Sequence, residues 1–303
     1  MTGFTANDVP DQTGRCIIVT GANTGIGFEE ARALAGKGAR VLLACRDRAK
    51  GEAAIQRIVT ECAGADVAFL PLDLADLGSV REAAAIASAE PRIDVLLNNA
   101  GVMYPPLLRT KQGFELQFGV NHLGPFAFTA LMLPKLAEAG GARVVVTSSL
   151  AHTQGSIAWD DLNAEKRYRR TQRYSDSKLA NMLFVYELDR RLRGAGVPVS
   201  AIGCHPGVAA TELGRYSGIL RPLFSLAGLF LNSPAMGAWP GLQAATDLLA
   251  APGGYYGPQG LGGARGVSGP AKRSDAARNG DDARRLWEIS VEMTGIDPGL
   301  APS

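Results

Sequence analysis

The chain has 303 residues, of which 46% are hydrophobic and 20% are charged, so it can bury a sizeable core and is not expected to be disordered. Its 31 basic residues nearly balance its 29 acidic ones. A net charge this small does not favour a nucleic acid or an anionic membrane as the main partner.

Apolar runs alternate with Ala-rich helical patterns after a polar tail at residues 1–14. Strands are predicted at 15–20, 40–45, 67–72, 93–97, 143–147 and 197–202. Helices are predicted at about 28–36, 49–62, 77–89, 114–139, 174–193 and 281–294. The alternation breaks between 211 and 242, and the glycine-rich residues 253–270 are expected to form loops.

This alternation predicts a parallel sheet with helices on both faces, which is an α/β, doubly wound, Rossmann-like fold. Because no internal repeat or low-complexity linker divides the chain, we expect a single domain at residues 15–303. The N-terminus lacks the basic start and apolar core of a signal peptide. The apolar stretch at 219–231 is too short to span a bilayer. We therefore expect a cytoplasmic protein without a membrane span.

Two residue types could bind metals, but neither has the spacing of a metal site. The four cysteines form no CxxC pair, and we expect them to be buried free thiols. The three histidines also lack metal-ligand spacing, so no metal is expected.

A glycine cluster follows the first predicted strand as TGANTGIG, a variant of the dinucleotide-binding fingerprint. Small residues let the backbone turn sharply beside a pyrophosphate, and the next helix directs its N–H groups at that anion. A tight turn alone would also need glycine, but this position in a βαβ series favours dinucleotide binding. The predicted contacts are Gly21, Asn23, Thr24, Gly25, Ile26 and Gly27.

Tyr174 and Lys178 are four residues apart on a predicted helix, so their side chains share one face. A free phenol has a pKa of about 10, too high for efficient proton transfer near neutrality. A nearby ammonium favours the phenolate and lowers that pKa. Such pairs also occur on ordinary helices, but the glycine turn and Ser149 upstream favour a catalytic role.

Further patterns accompany the glycine turn and the Tyr-Lys pair. They are Asp73-Leu74, Asn98-Asn99-Ala100-Gly101, Asn121 in VNHLG, and Ser148-Ser149. From about residue 15 to 295 the sequence resembles the short-chain dehydrogenase/reductase family. The long insert between Ser149 and Tyr174 resembles one branch of it, which holds the retinol dehydrogenases, the WW-domain-containing oxidoreductases and the protochlorophyllide reductases.

The resemblance implies hydride transfer between a nicotinamide cofactor and an alcohol/carbonyl pair. It gives proton transfer to Tyr174, and ribose binding and tuning of the tyrosine to Lys178. Ser149 would orient the reacting oxygen, with Ser148 as the structural competitor. Asn121 would help hold a water that links Lys178 to solvent, although backbone capping is an alternative.

The resemblance also implies contacts with the cofactor. Asp73, beside Leu74, is expected to meet the adenine, unless it only starts a helix. Asn99, Ala100 and Gly101 would lie where the cofactor passes the fourth strand. The run His205-Pro206-Gly207-Val208 and Thr211 resemble the segment beside the nicotinamide, with Thr211 as the expected contact.

The end of the second strand predicts the choice of cofactor. An acidic residue there would bind the ribose hydroxyls of NAD and repel a 2′-phosphate. This chain has the neutral Cys45 instead, followed by Arg46, whose guanidinium can hold a phosphate with two charge-assisted hydrogen bonds. We therefore predict NADP(H), unless Arg46 is merely a solvated loop residue.

The apolar segment 211–242 predicts a lid over an apolar pocket, and hence a bulky apolar aldehyde, ketone or alcohol as substrate. A packed surface or a homo-oligomer interface is the alternative. Two other functions stay open at this point. One is a non-catalytic NADP(H)-binding regulatory protein, and the other is a double-bond reductase like protochlorophyllide reductase.

Overall fold

The structure, a computed structural model, describes residues 3–208 and 232–301. The strands in these residues are β1 Cys16–Thr20, β2 Arg40–Cys45, β3 Asp66–Pro71, β4 Val95–Asn98, β5 Ala142–Thr147, β6 Val199–Cys204, β7 Tyr255–Gly260 and β8 Arg265–Pro270. They form one sheet in the order β3-β2-β1-β4-β5-β6-β7-β8, in which only β8 is antiparallel to its neighbour. This topology confirms the predicted doubly wound fold.

Helices cover both faces of the sheet. The longer ones among the described residues are α1 Gly25–Ala35, α2 Arg48–Glu61, α3 Leu77–Ser88, α4 Gly124–Glu138, α5 Arg170–Gly194, α6 Pro234–Thr246 and α7 Gly280–Thr294. One apolar core lies between the sheet and α3, α4, α5 and α7, and the other lies under α1, α2 and α6. Because both faces are covered, every residue of β1 and of β4 is buried.

Helix α6 corrects the C-terminal end of the lid predicted at residues 211–242. Residues 211–231 lie outside the described residues, but 234–242 belong to α6, and Leu242 is buried in the core. Glycine and proline made this stretch resemble a loop, whereas its glycines allow close packing against α1. A Cβ on Gly241 would lie 2.0 Å from Oε1 of Glu30, and one on Gly237 would lie 3.2 Å from Cδ1 of Ile26.

The prediction of loops at 253–270 is wrong, because β7 and β8 form an antiparallel pair there. Glycine usually weakens a strand, but one glycine here makes room for a neighbouring ring. A Cβ on Gly257 would lie 1.9 Å from Nε2 of His205. Gly257 is therefore required by packing against the continuation of β6, whereas Gly253, Gly262, Gly263 and Gly266 have positive φ values, which favour glycine.

The first residues also differ from a simple polar tail. Phe4 pairs with Ser268 of β8 through two backbone hydrogen bonds of 2.8 and 2.9 Å. Phe4 and Val9 are both buried. This segment therefore lengthens the antiparallel edge of the sheet with an isolated bridge.

The cysteines, the apolar helices and the metal-binding side chains can each be examined across the described residues. All four cysteines are free thiols, as predicted, and three of them are buried. No helix within residues 3–208 and 232–301 is both long and apolar enough to cross a membrane. The same residues contain no group of side chains suited to hold a metal ion.

Candidate active site

A cleft of about 890 Å³ opens along the carboxyl ends of the central strands, where the strand order reverses between β1 and β4. In open α/β sheets this is where ligands bind. The predicted residues that line it are Gly21, Asn23, Thr24, Gly25, Ile26, Gly27, Arg46, Asp73, Leu74, Asn99, Ala100, Gly101, Tyr174, Lys178 and Pro206. The sequence-derived contacts from six separate segments therefore share one cleft.

The turn between β1 and α1 is shaped for close approach of a ligand. Gly21 and Gly25 have φ values of +69° and +61°, which favour glycine. A Cβ on Gly27 would lie 2.5 Å from Nδ2 of Asn99 and 2.7 Å from the carbonyl oxygen of Gly21. The α1 N-terminus can thus meet a pyrophosphate without side chains in the way.

Asn99 ties the two central strands together at the floor of the cleft. Its Nδ2 donates to the carbonyl oxygen of Thr20 at 3.0 Å. The N–H of Ala100 donates to Oγ1 of Thr20 at 3.0 Å. These bonds fix the ends of β1 and β4 relative to each other, which is the structural part of the role expected for Asn99.

Asp73 does not start a helix, so that alternative is wrong. Its Oδ1 accepts from the N–H of Ala75 at 2.9 Å. The residue that caps α3 is Asp76, whose Oδ1 accepts from the N–H of Gly78 at 2.9 Å. Asp73 lies instead in a turn on the rim of the cleft.

Tyr174 and Lys178 are brought together in the first turns of α5. The Nζ of Lys178 lies 5.6 Å from the centroid of the Tyr174 ring and donates to the carbonyl oxygen of Thr147 at 3.2 Å. Their exposed fractions are only 3% for Tyr174 and 4% for Lys178. The positive charge is therefore held next to the phenol at the end of β5, with little solvent to screen it.

Asn121 lies in a π-helical turn, Gly119–Leu123, that interrupts the helix predicted at 114–139. Such turns often occur at functional sites. The Oδ1 of Asn121 accepts from the N–H of Val102 at 2.7 Å, and its Nδ2 donates to the carbonyl oxygen of Val102 at 3.0 Å and to Oγ of Ser177 at 2.9 Å. The backbone-bonding alternative is therefore observed.

The structure distinguishes the two serines that follow β5. Ser148 is buried, and its hydroxyl donates to the carbonyl oxygen of Lys178 at 2.8 Å. Ser149 is half-buried, and its Oγ accepts from the N–H of Ala151 at 3.2 Å, which leaves its own proton available. This arrangement favours Ser149 over Ser148 as the hydroxyl that meets a ligand, although Ser149 does not line the described cleft.

Side chains with positive charge surround the end of β2. Arg46 is exposed, lines the cleft and has no carboxylate partner among the described residues. Asp47 caps α2 and pairs with Nζ of Lys50 at 3.0 Å, so its charge is already matched. Burial raises the pKa of the Cys45 thiol, which keeps it neutral.

Arg57 also lines the cleft, and the sequence interpretation missed it. Its guanidinium lies 4.1 Å from the centroid of the Phe28 ring. Arg57 is seven residues, or about two helical turns, beyond Lys50 on α2, and both line the cleft. This spacing is the signal that could have revealed their shared face.

The predicted nicotinamide segment is only partly described. Pro206 lines the cleft, whereas Gly207 and Val208 do not, and Thr211 lies outside the described residues. The N–H of Asn232 donates to the carbonyl oxygen of Val208 at 3.0 Å, and Nδ2 of Asn232 donates to that of Pro206 at 2.8 Å. The two flanks of residues 209–231 are therefore bonded to each other beside the cleft.

Comparison with known proteins agrees with this geometry, because the sequence profile described as short chain dehydrogenase matches residues 15–218. The chain belongs to this family. Human retinol dehydrogenase 13 is 45% identical over 300 residues, which cover 96% of this chain and 86% of the human protein. Mouse retinol dehydrogenase 12 is 44% identical, with 93% of this chain and 87% of the mouse protein covered.

A solved structure shows the same likeness. The crystal structure of an uncharacterised protein from Mycobacterium paratuberculosis is 40% identical and has a TM-score of 0.83, with 99% of this chain and 100% of that chain covered. The protein is therefore an oxidoreductase that acts on CH–OH groups of small molecules with a nicotinamide cofactor. Cβ atoms added to the glycines of the turn between β1 and α1 would take up space beside the α1 N-terminus. The glycines therefore leave room there for the pyrophosphate of such a cofactor.

Proposed function

We propose that this protein is an NADP(H)-dependent oxidoreductase that interconverts a bulky apolar alcohol and its aldehyde or ketone. The observation that carries the proposal is the single cleft that joins the glycine turn and Arg46 to Tyr174 and Lys178. A cofactor extended through this cleft would have its 2′-phosphate near Arg46, its pyrophosphate at the glycine turn and its reactive ring near Tyr174. The protein supplies position and electrostatics, while the cofactor supplies or accepts the hydride.

The chain's own residues manage the proton and the charge on oxygen. Tyr174 gives a proton to the carbonyl oxygen during reduction and takes it back during oxidation. The ammonium of Lys178 stabilises the phenolate left behind and binds the ribose. Ser149 donates a hydrogen bond to the reacting oxygen as negative charge develops there. Asn121 holds the π-helical turn in place and orders a water beside Lys178.

Preference for the 2′-phosphate rests on the end of β2. Cys45 presents no negative charge, and Asp47 is paired with Lys50. Arg46 is then available for two charge-assisted hydrogen bonds to the phosphate. Arg57, from the same side of the cleft, adds positive charge close to the adenosine.

The preference for an apolar substrate has two supports. Val102, Met103, Leu116 and Val120 line the same cleft as Tyr174. In addition, the relatives named retinol dehydrogenase are named for a large apolar alcohol, and they match nearly the whole chain. An apolar pocket gains free energy with each buried methylene, about 0.8 kcal/mol.

The test is a screen of NADPH consumption over aldehydes and ketones of increasing chain length and ring size. We expect turnover in the dark, with kcat/KM rising as the apolar part grows. A flat series would reject the apolar pocket. NADPH binding without turnover of any carbonyl would favour the regulatory alternative, and light-dependent reduction of a conjugated double bond alone would favour the protochlorophyllide-like one.

A further inference from the structure

His152 follows Ser149 by three residues, and its ring contacts the backbone carbonyl of Ser149. It is in the short 3-10 turn Leu150–Gln154 that Ser149 caps, and only 1% of its surface is exposed. Its Nδ1 lies 2.7 Å from the carbonyl oxygen of Ser149. Its Nε2 lies 3.3 Å from the backbone nitrogen of Ser274, in the segment that leads to α7.

These two contacts determine the position of the ring proton. The N–H of Ser274 can only donate, so Nε2 of His152 must accept with its lone pair. The proton is then on Nδ1, where it donates to the Ser149 carbonyl. A second proton on Nε2 would face the N–H of Ser274, and burial also lowers the pKa of His152, so the ring stays neutral.

The ring has little freedom to turn away from this arrangement. The Tyr255 ring packs edge-on against it with centroids 5.5 Å apart, and His205 stacks against Tyr255 at 5.2 Å. The preceding residue is held as well, because the hydroxyl of Ser148 donates to the carbonyl oxygen of Lys178 in α5. The two adjacent serines are therefore held by α5 at Ser148 and by His152 at the carbonyl of Ser149.

We propose that His152 is a positioning residue for Ser149. Ser274 contributes to the reaction indirectly, because its N–H holds the His152 ring in place. The inference rests on the proposed function, in which the Ser149 hydroxyl meets the reacting oxygen. The ring and the backbone N–H of His152, which donates to the same carbonyl oxygen at 3.1 Å, fix the Ser149–Leu150 peptide plane. The N–H of Ala151, from which Oγ of Ser149 accepts at 3.2 Å, is thereby held in position too. A misplacement of about 1 Å in an active site can cost about 100-fold in rate.

The experiment compares His152→Leu with His152→Asn, with NADPH varied at a fixed, saturating concentration of one aldehyde. Leucine removes the donor and keeps much of the volume, whereas the asparagine amide puts an N–H close to the position of Nδ1. We expect His152→Leu to lower kcat about 10- to 100-fold with KM for NADPH changed less than about twofold. His152→Asn should recover most of that loss.

The same substitution in a Ser149→Ala background separates positioning from a general structural effect. If His152 acts through Ser149, His152→Leu should lower kcat less than about twofold there, because coupled residues are not additive. Equal losses in both backgrounds would overturn the inference and leave the proposed function standing. A wild-type enzyme without carbonyl turnover would overturn the proposed function, and the inference with it.

Circular dichroism and the melting temperature show whether each variant folds. If His152→Leu does not fold, His152→Asn and His152→Gln replace it, because glutamine places its amide near Nε2 instead of Nδ1. We then expect the asparagine variant to be the more active one. Greater activity of the glutamine variant would contradict the proposed bond to Ser149.

Discussion

The amide oxygen of Asn121 and the ammonium of Lys178 meet at Gly101. A Cβ on Gly101 would lie 3.1 Å from Oδ1 of Asn121 and 3.4 Å from Nζ of Lys178. The first distance is tighter than an ordinary van der Waals contact, and the second is at its lower limit. A methyl group at this position would therefore press on the amide of Asn121, which glycine avoids.

Gly101→Ala should displace Oδ1 of Asn121 from its position beside Lys178 while the fold is kept. We expect kcat to fall at least about tenfold, because small misplacements in an active site are costly. Steady-state kinetics and thermal melting check this together. Gly280→Ala, where the nearest neighbour would be at 3.7 Å, is the matched control and should keep its turnover. Normal activity of Gly101→Ala would show that catalysis does not require Asn121 and Lys178 to keep their positions beside residue 101.

Tyr174→Phe should abolish most turnover without loss of NADPH binding. The ring keeps its packing against Tyr104, whose centroid is 5.3 Å away, and only the hydroxyl is removed. General acid/base assistance contributes about 100- to 10,000-fold, so kcat should fall on that scale. Tyr186→Phe, farther along α5, is the control. Fluorescence titration with NADPH measures binding, and near-normal turnover of Tyr174→Phe would exclude it as the proton donor.

Arg46→Ala should erase most of the preference for NADPH. Hydrogen bonds to charged groups contribute about 1.5–3 kcal/mol, so wild type should prefer NADPH over NADH at least about tenfold in kcat/KM. The variant should lose activity with NADPH and change little with NADH. Arg48→Ala removes a nearby arginine that pairs with Glu52 and does not line the cleft, so it should keep the preference. A wild type that used both cofactors equally would contradict this assignment.

Glu30 should make the protein less stable as pH rises. Its side chain is fully buried between α1 and α6, and neither carboxylate oxygen has a hydrogen-bond partner in the described structure. Burial raises the pKa of Glu30 well above 4.5, so the folded state keeps a proton that the unfolded state releases. The stability that this proton contributes is present below about pH 4.5 and is lost as pH rises towards the folded-state pKa.

The urea midpoint of wild type, measured against Glu30→Gln over a pH series, checks this expectation. Because glutamine does not titrate, the wild type should lose stability relative to the variant as pH increases from 4.5. Glu30→Leu also lacks a titrating group, so the wild type should show the same trend against it. A difference that does not depend on pH would mean that the carboxyl group reaches a polar partner.

The sequence predicted the larger part of the fold, in which local signals agree with tertiary packing. Strands β1 to β6 are short apolar runs, and their turns carry glycine or asparagine for reasons visible in the chain itself. Helix α6 and strands β7 and β8 were missed, because Gly241 and Gly257 serve distant partners, Glu30 and His205. No local pattern shows that a glycine makes room for a residue far away in the sequence.

The candidate site shows the same division between residues in local motifs, which were predicted, and residues placed by distant packing, which were missed. Residues in contiguous motifs, such as Gly21 to Gly27 and the Tyr174–Lys178 pair, were found from their local spacing together with their order along the chain. Arg57 was missed because its place in the cleft depends on how α2 packs against β2 and α1. The bond between His152 and Ser149 likewise depends on Ser274, more than a hundred residues later.

The hydrogen bonds that Asn232 donates to Val208 and Pro206 join α6 to the wall of the cleft. Ser233, the next residue, caps α6, and Pro206 lines the cleft. A shift of α6 against α1 would therefore be passed to the cleft wall at Pro206, so the packing of this helix and the shape of the cleft are mechanically linked.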